Sequence, residues 1–179
     1  LYVDYLKGEL SRTEFYKNIP EHISKTVINK EISEDSLKTI FSQIDDLLEN
    51  SSLDLIIGGP PCQAYSLVGR SCDSNKMLGD KRNYLYKFYG EFLKRYQPRY
   101  FVFENVTGLL SAKDADGRYH FEEMRMLFKK LGYETEYRIL NANDYGALQA
   151  RKRIILMGRR GEKTGFYPQL EIERPNVCV

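Results

Sequence analysis

The chain has 179 residues, 42% of them hydrophobic, which is enough apolar material for the core of one domain and too little for a second complete one. Its three cysteines, Cys62, Cys72 and Cys178, form neither an even disulfide framework nor a paired Cys-x-x-Cys metal motif, which excludes a disulfide scaffold and a zinc ribbon and suggests a reducing, cytosolic setting. No apolar run reaches the length of a membrane span and the first residues lack the basic-then-apolar order of a signal peptide, so a soluble protein is expected. The net charge of +2 conceals an uneven distribution: residues 51–100 carry eight bases against four acids and residues 151–179 seven against three, while residues 1–50 carry six against ten and residues 101–150 six against eight. Positive charge so collected suits a surface facing a polyanion, or an uneven solvated face.

In chain order, residues 1–30 carry Tyr2, Tyr5, Leu6 and Leu10 at loosely helical spacing, interrupted by Gly8, and specify no element. Ser33 suits an N-cap with Glu34 and Asp35 in the first turn, and Leu37, Ile40, Phe41, Ile44, Leu47 and Leu48 then predict a core-facing helix ending near Asn50. Leu53 to Ile57 reads as a short strand buried on both faces. It runs into Gly58-Gly59-Pro60-Pro61-Cys62-Gln63, where two glycines allow a sharp turn or close approach to a ligand and two prolines fix φ and remove donors. A cysteine held in this way is positioned rather than packed, at the strand end where open α/β sheets bind ligands; alone it would equally suit a small hydrophobe in an ordinary loop.

The long connection from Ala64 to Lys81 is placed to act as a lid. A helix from about Asn83 to Tyr96, with Leu85, Phe88, Phe92 and Tyr96 on one face, leads to a strand at Tyr100–Phe103 that stops at Glu104-Asn105. Phe121, Met124, Phe128 and Leu131 predict a third helix with Gly132 as its stop. Tyr133, Thr135, Tyr137 and Ile139 alternate as a strand does, a turn occupies Asn141–Gly146, and a last strand covers Arg153–Arg159. The order strand, helix, strand, helix, strand, strand predicts an α/β sheet with a hairpin at one edge.

Two further strings carry chemistry. Phe103-Glu104-Asn105-Val106 closes the strand after the one feeding Cys62, and Gln149-Ala150-Arg151-Lys152-Arg153 has a period-two spacing that puts Gln149, Arg151 and Arg153 on one face of an extended segment and Lys152 on the other. Singly, these are a solvated strand-end acid, a turn-forming asparagine and a solvated basic strand end. Together and in this order, the three strings resemble the Pro-Cys-Gln, Glu-Asn-Val and Gln-x-Arg-x-Arg motifs of the DNA cytosine-5 methyltransferases of bacterial restriction-modification systems. Asp80-Lys81-Arg82-Asn83-Tyr84-Leu85 is similar to the family's Asp-x-Arg-Gly/Asn-x-Leu segment, and Glu31-Ile32 to its acidic-apolar pair near the cofactor. The likeness runs from residue 30 to residue 168.

That resemblance implies a Rossmann-like S-adenosylmethionine-dependent methyltransferase sheet, truncated at both ends. No glycine-rich Phe-x-Gly-x-Gly cofactor loop precedes residue 30 and no target-recognition segment follows Arg174, so residues 1–179 are expected to be a partial catalytic domain, excised or one subunit of a split enzyme. It implies that Cys62 is the nucleophile toward carbon 6 of a cytosine flipped out of duplex DNA, that Glu104 holds ring nitrogen 3, and that Arg151 and Arg153 bind the extruded nucleotide. Pro60, Gln63, Asn105 and Gln149 are implied as supports, and Pro61, Leu85, Glu31 and Ile32 as neighbours of S-adenosylmethionine, with no metal. The implied partners are double-stranded DNA and a complementary subunit or the rest of the polypeptide, in the bacterial cytoplasm at the nucleoid. Two alternatives are a transfer RNA cytosine-5 methyltransferase, which shares the motifs, and a non-catalytic DNA-binding subunit; substrate preference and crosslinking to labelled S-adenosylmethionine separate them. A thiol redox protein lacks a suitably spaced second cysteine.

Overall fold

The computed structural model describes residues 1–61, 85–161 and 163–172. Cys62, Gln63, the lid expected at 64–81, the Asp80–Tyr84 part of the looser motif and Arg174 lie outside the described residues. The chain divides into two compact units, Leu1–Ser51 and Ser52–Val179.

The first unit is helical: α1 (Tyr2–Leu6), α2 (Arg12–Lys17), α3 (Glu21–Ser24) and α4 (Glu34–Leu48). The aromatic residues that specified no element from sequence join the first two helices, with Tyr5 and Phe15 stacked at 5.0 Å and Tyr2 6.0 Å from Phe15. A reciprocal Ser11–Glu14 capping box starts α2. Ser33 caps α4 as expected, accepting the N–H of Ser36, and the helix ends at Glu49 in the left-handed conformation. Of its expected stripe only Ile40 is buried. A unit of about fifty residues has too little apolar surface to cover a helix of four turns along its whole length.

Among the described residues, the second unit is a four-stranded mixed sheet in the order β1 (Leu55–Gly58), β2 (Tyr100–Val106), β4 (Lys152–Arg160), β3 (Tyr133–Asn141). β1 and β2 run parallel, joined through α5 (Leu85–Tyr96); β4 is antiparallel to both β2 and β3. The strand that follows α6 (His120–Lys130) is β3, so the predicted edge hairpin is present. Helices α5 and α6 cover one face of the sheet, where Leu93, Phe101, Phe103, Met124, Phe128, Ile154 and Leu156 form the core. Phe101 is its centre, 4.8 Å from the Phe128 ring and 5.2 Å from that of Tyr133.

Three expectations are corrected. β1 is not buried on both faces: Leu55 and Ile57 are 43% and 71% exposed, because both helices of the core lie on the face that carries Ile56. β2 does not stop before Glu104-Asn105 but continues to Val106, since β4 pairs with it through Val106 and Arg153. The sheet-facing side of α5 is Tyr86, Tyr89, Gly90 and Leu93 rather than the Leu85, Phe88, Phe92 and Tyr96 face. The glycine decides this rotation, for it lets the Leu127 side chain of α6 approach to about van der Waals contact.

On the other face of the sheet, Glu136 of β3 accepts backbone N–H groups of Gly165, Phe166 and Tyr167, and the Tyr167 hydroxyl donates to the Ile155 carbonyl at 3.2 Å. The Arg138 guanidinium lies 4.7 Å above the Tyr167 ring. This fixes the C-terminal segment along β3 and β4. No helix among the described residues is long and apolar enough to cross a membrane.

Candidate active site

The parallel pairing of β1 with β2 brings the two motif-bearing strand ends side by side, with Gly58 in register with Phe103. Adjacent residues of a strand point to opposite faces, so Glu104 and Asn105 have different surroundings. Asn105 is fully buried; its Nδ2 donates to the Pro60 carbonyl at 3.3 Å, and its Oδ1 accepts the Val106 N–H at 2.8 Å. The loop is thus tethered two residues before Cys62.

Glu104 points to the open face and meets Arg153. The antiparallel register sets Arg153 opposite Val106, diagonal to Glu104, and its Nε donates to Glu104 Oε1 at 2.9 Å. The pair is partly solvated, with 42% of the Glu104 side chain and 23% of the Arg153 side chain exposed. The Arg153 guanidinium is also fixed by donation from Nη1 to the Lys152 carbonyl at 2.8 Å.

Gln149 is placed differently from expectation. The strand begins only at Lys152, and Gln149 sits in a bend before it, so the period-two face does not extend to Gln149. Arg151 has an exposed side chain, and its backbone is tied to the end of β3 by donation to Asn141 Oδ1 at 3.0 Å and acceptance from Ala142 at 3.0 Å. Pro61 is exposed at the loop end and Leu85 is half-buried in the first turn of α5. Glu31 and Ile32 belong to the first unit, where the Glu31 carbonyl accepts the Ser36 hydroxyl at 2.6 Å and Ile32 is exposed. Pro60, Glu104, Asn105 and Arg153 are therefore the expected residues that share one site.

Tyr89 was missed by the sequence reading. Its hydroxyl donates to the Val102 carbonyl at 3.0 Å and lies 3.3 Å from that of Ile56, bridging β2 and β1 just before the loop. Burial pushes this phenol well above its usual range, so it stays a neutral donor. The available signal was the Tyr86-Tyr89-Gly90-Leu93 spacing, a second helical stripe beside the one chosen. Among the described residues, no three His, Cys, Asp or Glu side chains converge as a metal site would require.

The described part of the site is thus a loop tethered at Pro60 by a buried amide, beside a carboxylate oriented by a guanidinium. The model of the C-5 cytosine-specific DNA methylase family matches residues 9–176. Type II methyltransferase M.Bpa9945I of Bacillus paralicheniformis is 36% identical over 189 aligned residues, which cover 94% of this chain and 42% of that protein. Type II methyltransferase M.XorII of Xanthomonas oryzae pv. oryzae is 43% identical over 120 residues, 65% of this chain and 26% of the other. Among solved structures, an E. coli protein encoded within a prophage and described as a DNA modification methyltransferase superposes with a TM-score of 0.51 at 25% identity, over 74% of this chain and 33% of that one. The chain spans less than half the length of these relatives.

Proposed function

The chain belongs to the C-5 cytosine-specific DNA methylase family, and from that membership we propose that it is the central part of a catalytic domain that methylates carbon 5 of cytosine in double-stranded DNA. The observation that carries the reading is the meeting of three motifs at one strand edge: Asn105 holds the Pro60 carbonyl two residues before Cys62, and Glu104 beside it is paired with Arg153. The family description supports DNA over transfer RNA as the substrate, and the names of the two Type II relatives support a role in a restriction-modification system of the bacterial cytoplasm.

Carbon 5 of cytosine is a weak nucleophile. The Cys62 thiolate adds to carbon 6 of the flipped base, forming a carbon–sulfur bond and moving the electrons of the 5,6 double bond toward carbon 5 and the ring. The Glu104 carboxyl group donates a proton in a hydrogen bond to ring nitrogen 3, where part of that density gathers, and takes it back when the ring is restored, while Arg153 keeps the carboxyl group turned toward the base. S-adenosylmethionine supplies the methyl group as an electrophilic sulfonium, whose sulfur keeps the electrons of the broken bond. Loss of the carbon 5 proton to a base and departure of the Cys62 thiolate restore the ring. Arg151, exposed at the start of β4, is available to a phosphate of the extruded nucleotide.

Pro61 presents exposed apolar surface of the kind a purine covers, and with Leu85 of the same unit it is a proposed neighbour of S-adenosylmethionine. Residues 1–179 are read as part of a longer catalytic domain, to be completed by the rest of the polypeptide or by a second subunit.

The test is transfer of labelled methyl from S-adenosylmethionine to duplex DNA and to transfer RNA, using the full-length polypeptide and its Cys62→Ala variant. Label is expected on carbon 5 of DNA cytosine, falling by at least about 10⁴-fold in the variant, as removal of a covalent nucleophile does. Label on transfer RNA alone, or appreciable transfer by the variant, would overturn the reading.

A further inference from the structure

We infer that Gly59 is a positioning residue for Glu104: the space left by its missing side chain lets the Gly59–Pro60 backbone lie against the Glu104 carboxylate while that carboxylate stays paired with Arg153. The inference rests on the proposed role of Glu104.

A glycine is required either for its backbone conformation or for its size. Gly59 is not among the residues with positive φ, so its backbone conformation does not itself demand glycine. Space does. A Cβ at position 59 would lie 2.7 Å from the Glu104 carbonyl oxygen and 2.8 Å from Glu104 Oε2, both closer than real Cβ contacts. The first atom belongs to β2, held between β1 and β4, and cannot retreat without disturbing the pairing. The second belongs to the carboxylate, whose other oxygen, Oε1, is held by Arg153 Nε at 2.9 Å. Glu104 therefore has a guanidinium on one oxygen and, beside the other, a position where no Cβ fits.

The neighbouring Gly58 behaves differently. A Cβ there would lie 3.2 Å from Cε2 of the Tyr89 ring, a contact that a shift of a few tenths of an ångström relieves. A side chain at 59 has to turn the Glu104 carboxylate off Arg153, because the Asn105–Pro60 bond holds the loop in place against it.

The test is a double-mutant cycle in the full-length polypeptide, with Gly59→Ala, Glu104→Gln and the combination, and Gly58→Ala as the control. Gly59→Ala is expected to lower kcat by about 10²-fold with the KM for duplex DNA within about threefold, the size of effect a displacement of about 1 Å produces. In the Glu104→Gln background the same alanine should cost less than about threefold, because both changes act through one group. Gly58→Ala should stay within about threefold of the parent, a loss too small for a 1 Å displacement. The Arg153 Nε–H resonance gives a readout independent of activity: it should move in Gly59→Ala toward its position in Glu104→Gln, and stay in place in Gly58→Ala.

Wild-type kcat with an unmoved Arg153 resonance in Gly59→Ala overturns the proposal, as does full multiplication of the two losses in the double variant. Unfolding of Gly59→Ala and of the double variant alike would mark a purely structural glycine and overturn it too. If the unaltered polypeptide transfers no methyl, the resonance alone decides. A shift then sustains the coupling while the catalytic reading of Glu104 fails, and no shift removes the coupling itself.

Discussion

Glu104 and Asn105 are neighbours in the chain and opposites in the fold, and the site depends on that division. Asn105, buried under the loop, spends both ends of its amide on backbone groups, so Asn105→Ala leaves the Pro60 carbonyl without its donor. The expected loss is about 1–2 kcal/mol of unfolding free energy, read by urea titration, together with a fall in kcat. Arg153 presents the contrary case: its ion pair with Glu104 is partly solvated, so Arg153→Ala should change stability by less than about 1 kcal/mol. Methyl transfer should nevertheless fall by about 10–10²-fold as Glu104 loses its orientation, a result that separates a site role from a structural one. The motif residues were legible because each motif is contiguous in sequence. The Glu104–Arg153 pair was not, since it depends on a strand register that places Arg153 diagonal to Glu104; nor was the bend that removes Gln149 from the basic face.

Elements were legible in kind and order, and less so in which face each buries. The helix Leu85–Tyr96 carries two overlapping apolar stripes, and the sequence reading names only the one with Phe88 and Phe92. The deciding residue is Gly90, whose role as the contact point for Leu127 appears only when α6 is in place. β1 shows the same limitation, because an apolar run cannot reveal that the helices of the core share one face. Gly158 is the clearest element-scale prediction. It stands opposite Phe101 in β2, and a Cβ there would lie 1.9 Å from Cε1 of that ring. Gly158→Ala should cost about 1–3 kcal/mol by overpacking and lower the thermal midpoint, while Gly165→Ala, with open space around it but a positive φ, strains only its own backbone. An unchanged midpoint for Gly158→Ala would mean that the Phe101 cluster is not the centre of the core.

For the whole molecule, burial of His120 at the start of α6 gives the pH dependence of folding an assignable contribution near neutrality. Burial pushes its imidazole below the ordinary 6.5, while the nearby Asp114 and Glu123 carboxylates partly oppose the shift. A base whose folded pKa is lowered takes up its proton more readily when unfolded. Its contribution to stability is therefore complete above about pH 6.5 and is lost as pH falls toward the folded value. The thermal midpoint should decline as pH drops below about 6.5, and His120→Gln should flatten that slope. The proposed mechanism turns on a covalent bond between Cys62 and carbon 6 of cytosine, and trapping that bond tests it most directly. In duplex DNA carrying 5-fluorocytosine the methylated adduct cannot shed a proton from carbon 5, so the enzyme should remain attached. With S-adenosylmethionine and the full-length polypeptide, mass spectrometry of the trapped complex should place the nucleotide on the peptide containing Cys62. Methyl transfer to ordinary DNA without any such adduct, or an adduct mapped to Cys72 or Cys178, would contradict the account.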